Sequence, residues 1–170
     1  MKNKFVLLVL LSVFCSCVST KSTLKNVDDH APIPKLNSNN VFVITEYSKD
    51  AKYGYDPDYP INIFYKNTKS ETANQERFLN ALAGPKGETI TYKKVETCCP
   101  FPSKNIEIGV GLLDIYEITW TGQKAPIRLY LNYFEKGVLM VPMYEIFIFS
   151  FFYQSRTLFP VDFEDIDFSG

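Results

Sequence analysis

Histidine is nearly missing from this chain: of its 170 residues only His30 is one. That scarcity narrows the available chemistry. A zinc site takes three or four nitrogen, sulfur or carboxylate ligands, and the cysteines are only Cys15, Cys17, Cys98 and Cys99, in two tight pairs far apart. His30 has Asp28 and Asp29 beside it, but a polar, mobile stretch pre-organises no ligand set, so no metal is expected. Neither a Cys-x-x-Cys spacing, nor a glycine-rich phosphate loop, nor a Gly-x-Ser-x-Gly elbow occurs, which leaves redox, kinase and hydrolase motifs without residues. No cofactor is expected either. Charge of one sign is also lacking, since 18 Lys and Arg against 19 Asp and Glu leave a net charge of −1. Nothing at composition level draws such a chain to nucleic acid.

What is present is an ordinary globular balance, 46% hydrophobic and 22% charged, enriched to 15% in aromatics. Aromatics at that level favour strands and an aromatic-rich core. A chain of this length supports one domain plus appendages. Its start has the anatomy of an export signal, with Lys2 and Lys4 before an apolar run from Phe5 to Phe14. The run falls short of the ~20 residues that a membrane-spanning helix needs. Phe14-Cys15-Ser16-Cys17 resembles the lipobox of bacterial lipoproteins, with small Ser16 directly before Cys17. Cys17 is therefore the expected lipidated residue, at the end of a signal peptide over 1–17. Cys15 fits less well, because bulky Phe14 stands where the peptidase wants a small side chain. A secretory signal cleaved without lipidation is the alternative.

Residues 18–40 are rich in Ser, Thr, Asn, Lys and Pro and predict a flexible tether. A single α+β domain is expected over 41–143. Val41 to Tyr47 and Ile61 to Tyr65 read as strands, and between them lies a turn-rich stretch carrying Tyr53, Tyr55 and Tyr59. Glu71 to Ala83 predicts the one helix, with Thr72 as its cap, Gln75 completing a capping box, and Gly84-Pro85 as the stop. Phe78, Leu79 and Leu82 give it an apolar stripe. Thr89 to Val95, Gly109 to Trp120, Pro126 to Phe134 and Val138 to Pro142 follow as strands with short turns. In the second of these Leu112, Tyr116, Ile118 and Trp120 are in phase; in the third, Ile127, Leu129, Leu131 and Tyr133. The expected architecture is an antiparallel meander packed on one helix, a cystatin-like arrangement. Residues 144–170 form an atypical tail, first apolar on both faces from Ile146 to Tyr153 and then acidic.

Tyr53 to Tyr55, Glu76 to Leu82, Gly84 to Glu88, Cys98 to Phe101, Gly111 to Glu117 and Leu129 to Tyr133 match motifs shared by a group of small bacterial envelope lipoproteins, which the stretch from Tyr53 to about Met143 resembles. The resemblance implies an envelope location, with the outer membrane expected and the membrane reached through the N-terminal lipid. It implies no reaction. Members of the group sometimes carry the name 2-dehydro-3-deoxyphosphooctonate aldolase, but that enzyme is a full (β/α)₈ barrel, which typically takes ~250 residues. The tail departs from the group and reads either as a native element or as a frameshifted end.

Three roles stay open for Cys98 and Cys99: a structural disulfide between neighbours, buried free thiols, or a redox or thiol-binding site. An oxidising compartment with no other free cysteine favours a local bond. Tyr53, Tyr55 and Tyr59 offer a possible ligand surface for a sugar or peptide, or else cover a core edge. Asp114 and Glu117, three apart on a strand, point to opposite faces and cannot grip one substrate atom together. Two function classes follow. A non-catalytic binding or assembly module, taking a protein or small-molecule ligand, is preferred; an enzyme is the alternative.

Overall fold

Alternation of β-branched and aromatic residues builds the centre of the protein, where β3 (Ile90–Pro102) and β4 (Val110–Trp120) pair antiparallel and β5 (Ile127–Asn132) returns along β4. The computed structural model describes residues 21–64, 70, 72–143 and 147–148. Before these strands come β1 (Ile61–Asn62), helix α1 (Ala73–Leu79) and β2 (Leu82–Ala83), and after them β6 (Phe147–Ile148). One sheet has the order β1-β5-β4-β3, and β2 pairs with β6. The described residues make a small α+β fold with one short helix and a mixed four-stranded sheet.

The sheet corrects the expected all-antiparallel meander. Only β3 to β5 follow that pattern; β1 lies parallel to β5, with Ile61 opposite Leu131 and Asn62 opposite Asn132. Tight turns force antiparallel pairing, whereas the chain between β1 and β5 passes through α1 and the β3–β4 hairpin, long enough for a parallel return.

One face of the sheet carries the main core. Tyr116, Ile118, Leu129, Leu131 and Ile61 join Phe78 and Leu79 of α1 in a single apolar cluster. Phe78 and Leu79 are both fully buried, and each such side chain contributes about 1.5–3 kcal/mol. The other face is buried only toward the β3–β4 turn, with exposed Thr91, Lys93 and Arg128 nearer Trp120, and its buried part is mixed in chemistry. Leu113, Ile115 and Phe101 lie there with the polar Asn62, Asn132 and Glu135.

That second face corrects the expected tether. Residues 24–31 lie against the domain: Lys25 N–H donates to Asp58 O at 2.9 Å, Asp28 N–H to Lys136 O at 2.7 Å, and Asn26 Nδ2 to Val138 O at 2.8 Å. Asn132 donates to Asn62 Oδ1 at 2.9 Å, and Asn62 in turn donates to the carbonyls of Lys25 and Asn26. The Asn and Asp residues that suggest solvated chain are here spent on backbone groups, and Ala31 is buried.

Further differences have local causes. Val41 to Tyr47 forms no strand; it is held by isolated bridges, Leu36 to Phe42 and Tyr47 to Val141, while Phe42 and Ile44 sit in the core. Val138 to Pro142 likewise contributes one bridge, through Val141. The helix stops at Leu79, earlier than expected, because Leu82 and Ala83 pair with Ile148 and Phe147 instead. Thr72 makes no capping bond, its hydroxyl donating to the Glu76 carboxylate. Among the described residues no helix is long and apolar enough to cross a membrane. The signal segment with Cys15 and Cys17, and the tail beyond Met143 apart from β6, lie outside the described residues.

Candidate functional site

β3 forms the edge of the sheet and carries two bulges, each adding one residue to it. Lys94 stands opposite Tyr116 but Glu96 opposite Ile115; Cys98 stands opposite Leu113 but Phe101 opposite Gly111. Each bulge switches which side chains of β3 share a face with alternate residues of β4. Cys98 and Cys99 sit at the second bulge, within the strand rather than in a loop, and are joined by a disulfide. Cys99 has φ of 58°, a left-handed conformation uncommon for a residue other than glycine. Pro100 follows without an N–H to donate, and a bulge on an edge strand is a place where proline is tolerated.

Beyond this bulge the hairpin runs past the helix. Leu112 is 43% exposed, Val110 41% and Ile108, in the connecting turn, 81%. The expected inward phase of Leu112 with Tyr116 therefore does not bury it: both lie on one face of β4, but α1 covers Tyr116 and not Leu112. An apolar strip of Ile108, Val110 and Leu112 thus borders the disulfide bulge.

Toward the helix the same face turns polar and buried. Gln75 of α1 donates to Asp114 Oδ2 and accepts from Tyr116 Oη, both at 2.8 Å. Asp114 Oδ1 accepts from Thr97 Oγ1 at 3.0 Å and faces Lys94 Nζ at 2.6 Å. Burial, and next the Asp114 carboxylate, push the Tyr116 phenol up to about 12. A phenol so held stays protonated and serves as a hydrogen-bond donor. Gln75 thus spends its amide in the core rather than in a capping box. Glu117 lies on the opposite side of β4, 2.9 Å from Lys93 and 4.0 Å from Arg128, so Asp114 and Glu117 are apart as their spacing implies.

The three tyrosines do not form one open surface. Tyr53 is fully buried, its Oη accepting from Met140 N–H at 3.2 Å and its ring meeting Tyr59 edge-on at 5.2 Å. Tyr55 and Tyr59 are half-buried against the core cluster, and Lys25 Nζ lies 5.2 Å over the Tyr59 ring. His30 is exposed, with its backbone N–H donating to Asp28 Oδ1 at 2.8 Å. Among the described residues no three His, Cys, Asp or Glu side chains converge to hold a metal.

Sequence reasoning gave no role to Glu135, Asn62 or Asn132. Glu135 is 1% exposed; its Oε2 accepts from Asn105 Nδ2 at 3.1 Å, while Oε1 has no hydrogen-bond partner. Burial raises its carboxyl above the ordinary carboxylate range. The one available signal was positional: Asn62 and Asn132 alternate with Ile61, Ile63 and Leu131, which puts them on the opposite face of the sheet from that core.

Comparison of the chain with protein families, with curated proteins and with solved structures finds no match.

Proposed function

We propose that the protein is a lipid-anchored component of the bacterial cell envelope whose α+β domain is a non-catalytic binding or assembly module. The observation that carries this reading is the exposed strip of Ile108, Val110 and Leu112 at the end of the β3–β4 hairpin, beside the disulfide bulge. Adjacent exposed apolar side chains on a rigid hairpin are the usual material of a contact surface. The engagement of Asp114, Gln75 and Tyr116 with one another supports a structural role for those groups, and the lipobox-like Phe14-Cys15-Ser16-Cys17 and the motif resemblance support the anchor.

The anchor is tested by metabolic labelling with a palmitate analogue: Cys17→Ala abolishes labelling, and equal labelling of variant and parent refutes it. The module is tested by crosslinking in intact cells. Ile108→Asp with Leu112→Asp removes the parent's specific crosslinked species while leaving the folded protein at parental level. Turnover of phosphoenolpyruvate and arabinose 5-phosphate by the pure protein, lost in a point variant, would replace this reading with an enzymatic one.

A further inference from the structure

The fastening of the N-terminal segment fixes how far the domain stands from its anchor. Lys25 bonds to the domain body through its backbone, its N–H donating to Asp58 O and its carbonyl accepting from Asn62 Nδ2. Eight residue steps separate Cys17 from Lys25. At full extension they reach about 28 Å, whereas a tether running to Val41 would reach about 80 Å. A reach of that size is shorter than the span of a domain of this size, roughly 35 Å for a radius of gyration of about 13 Å. The domain then cannot tumble freely above a bilayer in which the lipid on Cys17 is embedded. From this we infer that it rests with the Lys25–Tyr59 face against the headgroup surface of the membrane that carries its own lipid. The inference rests on the lipid-anchor reading above.

The chemistry of that face suits a hydrated headgroup layer. Lys25 Nζ stands 3.8 Å from Asp50 and over the Tyr59 ring, and Lys52 Nζ stands 3.3 Å from Asp56. These charges are matched in pairs, so the face neither needs anionic lipid nor is repelled by it, and an amphipathic Tyr ring is at home at a membrane interface. The tether, not a basic patch, sets the orientation. The Gly84–Glu88 turn abuts Trp120 at the C-terminal end of β4, which pairs antiparallel with β5. It therefore lies at the other end of the sheet from Asn132 and the Lys25 clamp. The face at Lys52 is membrane-proximal and the turn at Lys86 is distal, while the β3–β4 turn lies toward the clamp end, where Lys104 meets Asp29.

The test places a donor fluorophore on Lys52→Cys or on Lys86→Cys in full-length lipidated protein. The protein is reconstituted in phosphatidylcholine vesicles that carry a headgroup-linked acceptor. Both positions are exposed, and Cys98 and Cys99 are kept oxidised so that they do not take label. Energy transfer is expected to be several-fold stronger from position 52 than from position 86, and a flexible twenty-residue Gly-Ser insert between Thr20 and Lys21 should abolish the difference without touching the fold. Equal transfer from the two positions in protein that stays on the vesicles overturns this proposal alone. A difference that survives the insert overturns the short tether as its cause. Protein that does not stay on the vesicles overturns the lipid-anchor reading and this proposal with it.

Discussion

Gln75 donates its side-chain amide to Asp114 across the junction between helix and sheet, at 2.8 Å and with both residues buried. Asp114 also accepts from Thr97 and Lys94, which are exposed and can turn to water, so Asp114→Ala strands one buried donor, the Gln75 amide, and a buried donor left unsatisfied costs about 1–3 kcal/mol. The expected loss is roughly 2 kcal/mol in urea unfolding. Asp114→Asn, which keeps one acceptor oxygen, should lose clearly less. Equal losses from the two variants would show that the helix does not depend on the hydrogen bonds of that carboxylate.

Glu135 sets a pH dependence of the opposite sign to that of a salt-bridged acid. Its folded carboxyl is raised above the ordinary 4.5 by burial, so the folded state holds the proton more tightly than the unfolded chain does. Its contribution is fully present below that ordinary value and is lost as pH rises through the raised one. Glu135→Gln removes this loss. The melting temperature of the variant minus that of the parent should climb as pH rises from about 4.5 toward neutrality, and a difference that stays flat or falls contradicts the shift.

The sheet was legible in the chain where alternation is unbroken and obscure where it is not. Leu129 and Leu131 stand out because Arg128 and Tyr130 separate them, and both are in the core. Leu112 reads as inward by the same rule, yet the helix ends its cover before reaching it. Gln75 suggests a cap because its spacing from Thr72 is right, and only the position of β4 behind the helix shows that Asp114 and Tyr116 claim it first. Adjacency favours a bond between Cys98 and Cys99 over two other roles, but nothing in the sequence puts the pair in an edge-strand bulge, since Pro100 and Pro102 look like loop punctuation. Asn26, Asn62 and Asn132 resemble solvated residues until the three segments that they join are known.

The disulfide should matter little to global stability. It closes a ring within one residue step and removes little unfolded-chain entropy, so Cys98→Ser with Cys99→Ser should cost well below the ~2–4 kcal/mol typical of long-loop bridges. Mass spectrometry of exported protein alkylated without reduction should find no alkyl group on this pair, and two after reduction. Two groups before reduction exclude the bond in the native protein, and a disulfide-linked dimer shows that the cysteines join chains instead.

Gly137 offers the sharpest probe of the N-terminal clamp, because any side chain there runs into the Asn26 backbone carbonyl, a group that cannot swing aside. The same carbonyl accepts from Asn62 Nδ2 at 2.9 Å, and the Asn26 side chain donates to Val138 O. A methyl group at position 137 therefore breaks two fastenings at once, while the core cluster under α1 is not touched. With a net value near 1 kcal/mol for each hydrogen bond, Gly137→Ala should lose about 2 kcal/mol. The loss should be local. Trypsin should cut the folded variant at Lys21 or Lys25 well before it cuts the parent, with the near-ultraviolet signal of the aromatic core retained. Cleavage at the parental rate would mean that residues 24–31 stay fastened without Gly137, and that the clamp is carried by Asn62 and Asn132 instead.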